Sequence, residues 1–240
     1  MKVIGFIGYV DKTDFIIAVS KMLTICNKKV LIFDGTLEQR LRYMMPSIEN
    51  IMQPHITNFD GLYGAVNFKT LEQLEQYADQ RSCNIDEFDY MFVDVDNPQT
   101  YEAFRKRGYD EQFFVFEHSP VAIAKNLDLL KGIFEYKLPE QEIKMSKIIF
   151  KLYLQRASEG YFESKFNEYD VKWVNEPIEI PQDLSDKVAS IENNFASVIE
   201  TKKYSNGLRN AAMELAAHFL GEGQLLFVKK AVKEYERRKK

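Results

Sequence analysis

Two cysteines and three histidines in 240 residues are too few to organise this chain around a disulfide framework or a zinc site. Cys26 lies in an apolar stretch and Cys83 in a polar one, with no paired spacing, and His55, His118 and His218 are scattered. Each is expected to be a core or surface residue. Long apolar runs are missing as well, since no stretch approaches the ~20 residues that span a bilayer. Met1-Lys2 leads directly into a short apolar segment without a signal-peptide pattern, so the expected location is cytoplasmic or peripheral to the inner face of the membrane. An excess of positive charge is also absent. A formal net charge of −4 argues against a globally basic nucleic-acid binder, although residues 229–240 are locally basic. What is abundant is apolar mass: 45% of residues are hydrophobic and 18 are phenylalanine, ample for the core of one α/β domain spanning residues 1–240.

The apolar residues alternate between two periodicities. Val3-Ile4-Gly5-Phe6-Ile7, Lys29-Val30-Leu31-Ile32-Phe33-Asp34 and Phe88-Asp89-Tyr90-Met91-Phe92-Val93-Asp94 are short, dense runs suited to buried strands. Residues 111–116, 147–153 and 171–174 are further strand candidates, and Pro177 and Pro181 hold residues 176–181 extended. Helical spacing marks residues 15–26, 71–78, 101–107, 121–134, 206–219 and 224–238, the fourth of these started by Ser119-Pro120. Residues 36–64, broken by Pro46, Pro54 and Gly61, read as a mobile connection. Phe113, Phe114 and Phe116 suit core packing better than base stacking. Strands alternating with helices predict a mainly parallel, doubly wound sheet flanked by helices, whose site lies at the carboxyl ends of the strands.

Three candidate loops occupy such ends: residues 8–13, 34–36 and 94–98. The first, Gly8-Tyr9-Val10-Asp11-Lys12-Thr13, sits between a strand and a helix as a phosphate loop does. Lysine there reaches outer phosphates and the following hydroxyl ligates magnesium, roles that suit Lys12 and Thr13. Asp11 breaks the pattern, because its carboxylate repels phosphate and its side chain replaces the hydrogen that permits positive φ. Lys12 could instead pair with Asp11, Asp34 or Asp94. Asp94, ending a buried strand, offers a fixed oxygen to magnesium or simply caps a turn.

The order of these pieces resembles the MinD/ParA family of P-loop ATPases over most of the chain. The family's deviant loop reads Lys-Gly-Gly-x-Gly-Lys-Thr-Thr and falls on residues 7–14, where Gly8, Lys12 and Thr13 match. Ile7 replaces the signature lysine, Tyr9 and Asp11 replace glycines, and Asp14 replaces the last threonine. The strand ending in Asp94 corresponds to the family's Tyr-Asp-hydrophobic-Asp strand, and Glu179-Ile180-Pro181 precedes the final helices as expected. Thr36 stands near the family's catalytic aspartate, and Lys151 follows the strand where an asparagine often reads the base. The resemblance implies a P-loop NTPase-like fold, ATP and magnesium held at Gly8, Lys12, Thr13 and Asp94 if at all, and homodimer or heterodimer formation. The departures imply a degenerate member that positions or assembles protein partners of a bacterial machine, with weak or absent hydrolysis and no catalytic residue assigned. Two alternatives stand beside it: a slow ATP-dependent dimeric switch, and a nucleotide-independent membrane adaptor using the basic helix at 224–240, whose Glu234 and Glu236 oppose that use.

Overall fold

The computed structural model describes residues 1–45, 53–136, 142–151 and 164–238. Among them nine strands share one sheet: β1 Lys2–Ile7, β2 Val30–Asp34, β3 His55–Phe59, β4 Leu62–Val66, β5 Tyr90–Val95, β6 Glu111–Glu117, β7 Ile143–Lys151, β8 Val171–Trp173 and β9 Ile178–Pro181. Their spatial order is β3-β4-β2-β5-β1-β6-β7-β8, and β9 pairs with the later half of β7. Every pairing is parallel except β3 with β4. The central strands β1, β2 and β5 are covered on both faces, which is why they read as continuous apolar runs.

Strand alternation sorts those runs into two cores. Phe6, Phe92, Phe113 and Val115 point to one side, where α1 (Thr13–Ile25), α7 (Asn206–Leu220) and α8 (Leu225–Arg238) supply Phe15, Met22, Phe219 and Val228. Ile7, Val93, Phe114 and Phe116 point to the other, against α3 (Leu71–Gln80), α4 (Pro98–Arg107) and α5 (Pro120–Glu135). The Phe6 ring stacks on Phe113 at 5.7 Å and meets Phe92 edge-on at 5.2 Å. Asn97 and Ser119 cap α4 and α5, each followed by proline at the first helical position.

Two expectations are corrected here. The described part of residues 36–64 is ordered: α2 (Leu41–Met44) is followed by the antiparallel hairpin β3–β4, turned by Asp60 and Gly61 at φ 48° and 89°. Both positions need left-handed backbone, and Asp-Gly is the pair that supplies it most readily. Lys21 fixes this turn through its 2.8 Å ion pair with Asp60. Residues 184–196, for which the sequence carried no expectation, form a helix, α6 (Leu184–Ala196), capped by the Asp183 side chain. β7 begins at Ile143 rather than 147, and Pro46 and Tyr153 lie outside the described residues.

The basic terminal helix packs onto the domain. Val228 and Val232 are buried, Lys21 lies 5.0 Å from the Tyr235 ring, and Glu236 accepts from Arg209 at 2.8 Å. Among the described residues no helix is long and apolar enough to cross a membrane.

Candidate functional site

The three loops identified above converge at the carboxyl ends of β1, β2 and β5. Gly8 leaves β1 with φ 152°, its amide donating to the Val95 carbonyl at 2.8 Å. A Cβ there would lie 2.0 Å from the Val115 carbonyl oxygen, so only glycine fits. Tyr9 and Asp11 do not require left-handed backbone, since neither has positive φ; the expected strain at Asp11 is absent. Two backbone donors of the loop region are nevertheless taken by protein oxygens. The Tyr9 amide donates to Asn126 Oδ1 at 2.8 Å, and the Thr13 amide donates to Asp11 Oδ1 at 3.3 Å. The Asp11 carboxylate thereby takes an N-terminal amide of α1, in the positive field that a phosphate would use.

Lys12 is turned inward. Its Nζ donates to the Gly8 carbonyl at 2.6 Å and forms a 2.6 Å ion pair with Asp94 Oδ1, both side chains being buried. Of the three aspartates available to it, Asp94 is the one it meets. Desolvation drives the Asp94 pKa up to about 7, Lys12 opposing the rise and neighbouring Asp34 and Asp96 adding to it. Asp34 stands opposite Asp94 in the β2–β5 register. Its Oδ1 accepts from the Thr36 hydroxyl at 2.6 Å and its Oδ2 from the Leu41 amide at 2.7 Å. Burial nevertheless raises its pKa, only partly offset by those donors. Thr36 therefore serves a carboxylate inside its own loop. Asn97 and Thr100 clamp the same loop by donating to the Gly35 carbonyl at 2.7 and 2.9 Å.

The helix α6 closes the outside of the loop. Lys187 reaches Asp14 at 2.8 Å and Asp11 at 3.3 Å, while Ser190 donates to Asp14 Oδ1 at 2.6 Å. Arg40 adds a second cation 3.2 Å from Asp11. Burial pushes the Asp11 pKa up, but Lys187, Arg40 and the Thr13 amide outweigh it, so the carboxyl stays below its ordinary value. Asn126, Arg40, Lys187 and Ser190 were not singled out from sequence; Asp183 at a helix start, followed by apolar residues at 184, 188, 191 and 195, was the available signal for α6. A cavity of about 360 Å³ opens beside Asp11 and Asp14, lined by Phe15, Phe150, Ile180 and Leu208. Lys151, which follows β7 where the resemblance expects a base-reading asparagine, is paired with Glu179 at 2.5 Å. Among the described residues no group of three His, Cys, Asp or Glu could hold a metal ion.

The residues present fit a nucleotide triphosphate poorly. Two donors of the loop region, the Tyr9 and Thr13 amides, are spent on protein oxygens, the lysine is held by Asp94, and a carboxylate stands at the helix N-terminus. The fold is nonetheless well defined: a mostly parallel, doubly wound sheet with helices on both faces and a loop between its first strand and first helix.

Solved ParA and MinD proteins share this fold. A ParA family ATPase from Chlorobium tepidum superposes with a TM-score of 0.58 at 16% identity, covering 90% of this chain and 99% of that one. MinD in the MinC:MinD complex of Aquifex aeolicus gives 0.56 at 14% identity over 90% and 96%. The septum site-determining protein MinD of Pyrococcus horikoshii, solved with Mg-ADP, gives 0.53 at 14% over 89% and 95%. No family model and no curated protein sequence matches the chain.

Proposed function

We propose that this chain is a single-domain, partner-binding protein on a ParA/MinD-type fold, a positioning or assembly component of a larger bacterial machine that hydrolyses ATP weakly or not at all. The observation that carries this reading is the Asp11 carboxylate on the Thr13 amide, with Lys187 and Arg40 balancing it. An internal anion with its own counterions does in this chain what a bound phosphate would do elsewhere: it neutralises the helix terminus and orders the loop. Function then passes to surfaces, in keeping with the MinC-bound state of a MinD that shares the fold. Residence in the cytoplasm and a homodimeric or heterodimeric state belong to the same proposal.

A second reading, a slow ATP-dependent switch, draws on Lys12, Thr13 and Asp94 standing in the family's order, and on the Mg-ADP held by the Pyrococcus horikoshii MinD. In that case Lys12 would leave Asp94 for phosphate, and Thr13 and Asp94 would face magnesium. The membrane reading has less support, because α8 already buries Val228 and Val232 against the domain. Calorimetric titration with ATP and magnesium separates the first two. The proposal expects no saturable heat up to millimolar nucleotide in the native chain and measurable binding in Asp11→Gly. Native binding that Lys12→Ala abolishes, in a variant that still folds, would replace it with the switch.

A further inference from the structure

The helix α6 has two unlike faces. Ala189, Ser190 and Asn193 are buried against the domain. On the opposite side Leu184, Val188, Ile191 and Phe195 are exposed by 81%, 51%, 57% and 87%. Their spacing of four, three and four is the seam of a two-heptad coiled coil, and solvent-facing helices do not ordinarily carry one. Given roughly 150–250 Å² for a whole aromatic side chain, the four side chains together present on the order of 500 Å², the upper end of patches on monomers.

We infer that this face pairs with the same face of a second copy of the chain, in an antiparallel helix pair that needs no nucleotide. The argument is self-complementarity. A four-three-four spacing is symmetric about its midpoint, so a two-fold axis there sets Val188 against the partner's Ile191 and Leu184 against the partner's Phe195. The flanks also agree: Ser185 comes opposite the partner's Glu192 and Lys187 opposite the partner's Asn194, so no like charges meet. Two such patches bury about 1,000 Å² in all, the size at which a specific interface begins. This goes beyond the proposed function, because it names a surface and its occupant and does not depend on whether Asp11 excludes phosphate. The same helix holds Asp11 and Asp14 through Lys187 and Ser190, so the pairing would set the loop's outer wall.

Sedimentation equilibrium of the full chain from 1 to 100 µM, without nucleotide, tests it. The native chain should be a dimer at the upper end, and Ile191→Glu should weaken association at least 100-fold while leaving circular dichroism unchanged. Leu226→Glu, at an exposed apolar residue outside the seam, should leave the dimer intact. A native chain monomeric at 100 µM overturns the inference and leaves the seam to a helix of another protein. An unchanged dimer in Ile191→Glu overturns it too, and calorimetry with ATP on either chain reports the phosphate question separately.

Discussion

Lys12→Met should destabilise the protein by an amount that grows with pH, because the residue's partner is a buried acid whose pKa is already raised to about 7. Holding a carboxyl protonated at pH 7 against an unfolded pKa near 3.9 costs about 4 kcal/mol, at about 1.4 kcal/mol per unit. The folded chain keeps the Asp94 proton over a range in which the unfolded chain has lost it. Native stability therefore falls as pH rises from about 4 to about 7 and levels off above. In Lys12→Met the ionised form of Asp94 loses its counterion, its pKa climbs further, and the decline continues past pH 7. Near pH 5.5 Asp94 is neutral with or without Lys12, and the variant loses mainly the charged hydrogen bond to the Gly8 carbonyl, about 1.5–3 kcal/mol. Between pH 7 and 8.5 the gap should widen by up to about 1.4 kcal/mol per unit, toward the 3–5 kcal/mol typical of a broken buried ion pair. Urea unfolding of the native chain, Lys12→Met, Asp94→Asn and the double variant at pH 5.5, 7 and 8.5 provides the numbers. The double variant should recover much of the loss, with a coupling of about 2–3 kcal/mol at pH 8.5. A gap that stays constant from pH 5.5 to 8.5, or single losses that add to within about 0.5 kcal/mol, would refute the reasoning.

Asp11→Gly should lower stability by about 0.5–1.5 kcal/mol, as the loss of one side-chain hydrogen bond does, read from the urea midpoint. Gly8→Ala places a methyl 2.0 Å from the Val115 carbonyl oxygen at φ 152°, so a loss of about 3 kcal/mol or outright misfolding is expected from thermal unfolding and expression yield. His218 meets Glu111 at 2.6 Å, and that hydrogen bond raises its pKa against the opposing effect of burial. The contact's contribution is complete below about pH 6.5 and is lost as pH rises through the folded pKa. An NMR titration should find the His218 midpoint above that of a free histidine and lowered in Glu111→Gln.

The strands of the sheet's centre were legible because burial on both faces leaves one solution for runs such as residues 90–95: apolar throughout, short, and ended by a turn. Helices α1, α5 and α7 were legible for the complementary reason, a periodic apolar side. The β3–β4 hairpin is hard to read from sequence although Asp60-Gly61 is a strong turn signal, because Tyr63, Gly64 and the prolines around it dilute the alternation of short strands. Seven residues of spacing in α6 were equally visible, yet that helix carries its apolar seam outward, and amphipathicity alone does not say which side faces the domain.

At the loop, sequence alone determined that Gly8 precedes a helix, that Lys12 and Thr13 begin it, and that an acid interrupts the phosphate pattern, since these are properties of neighbouring residues. Tertiary structure decided the rest. Lys12 had three acids within its loops to choose from, and only the parallel register that sets β5 beside β1 delivers Asp94 to its ammonium group. Asp11 came to rest on an α1 amide with Arg40 and Lys187, 29 and 176 residues away in the chain, converging on its partly exposed carboxylate as counterions. Charges interact through space, with a strength set by distance and burial, and no reading along the chain supplies either quantity.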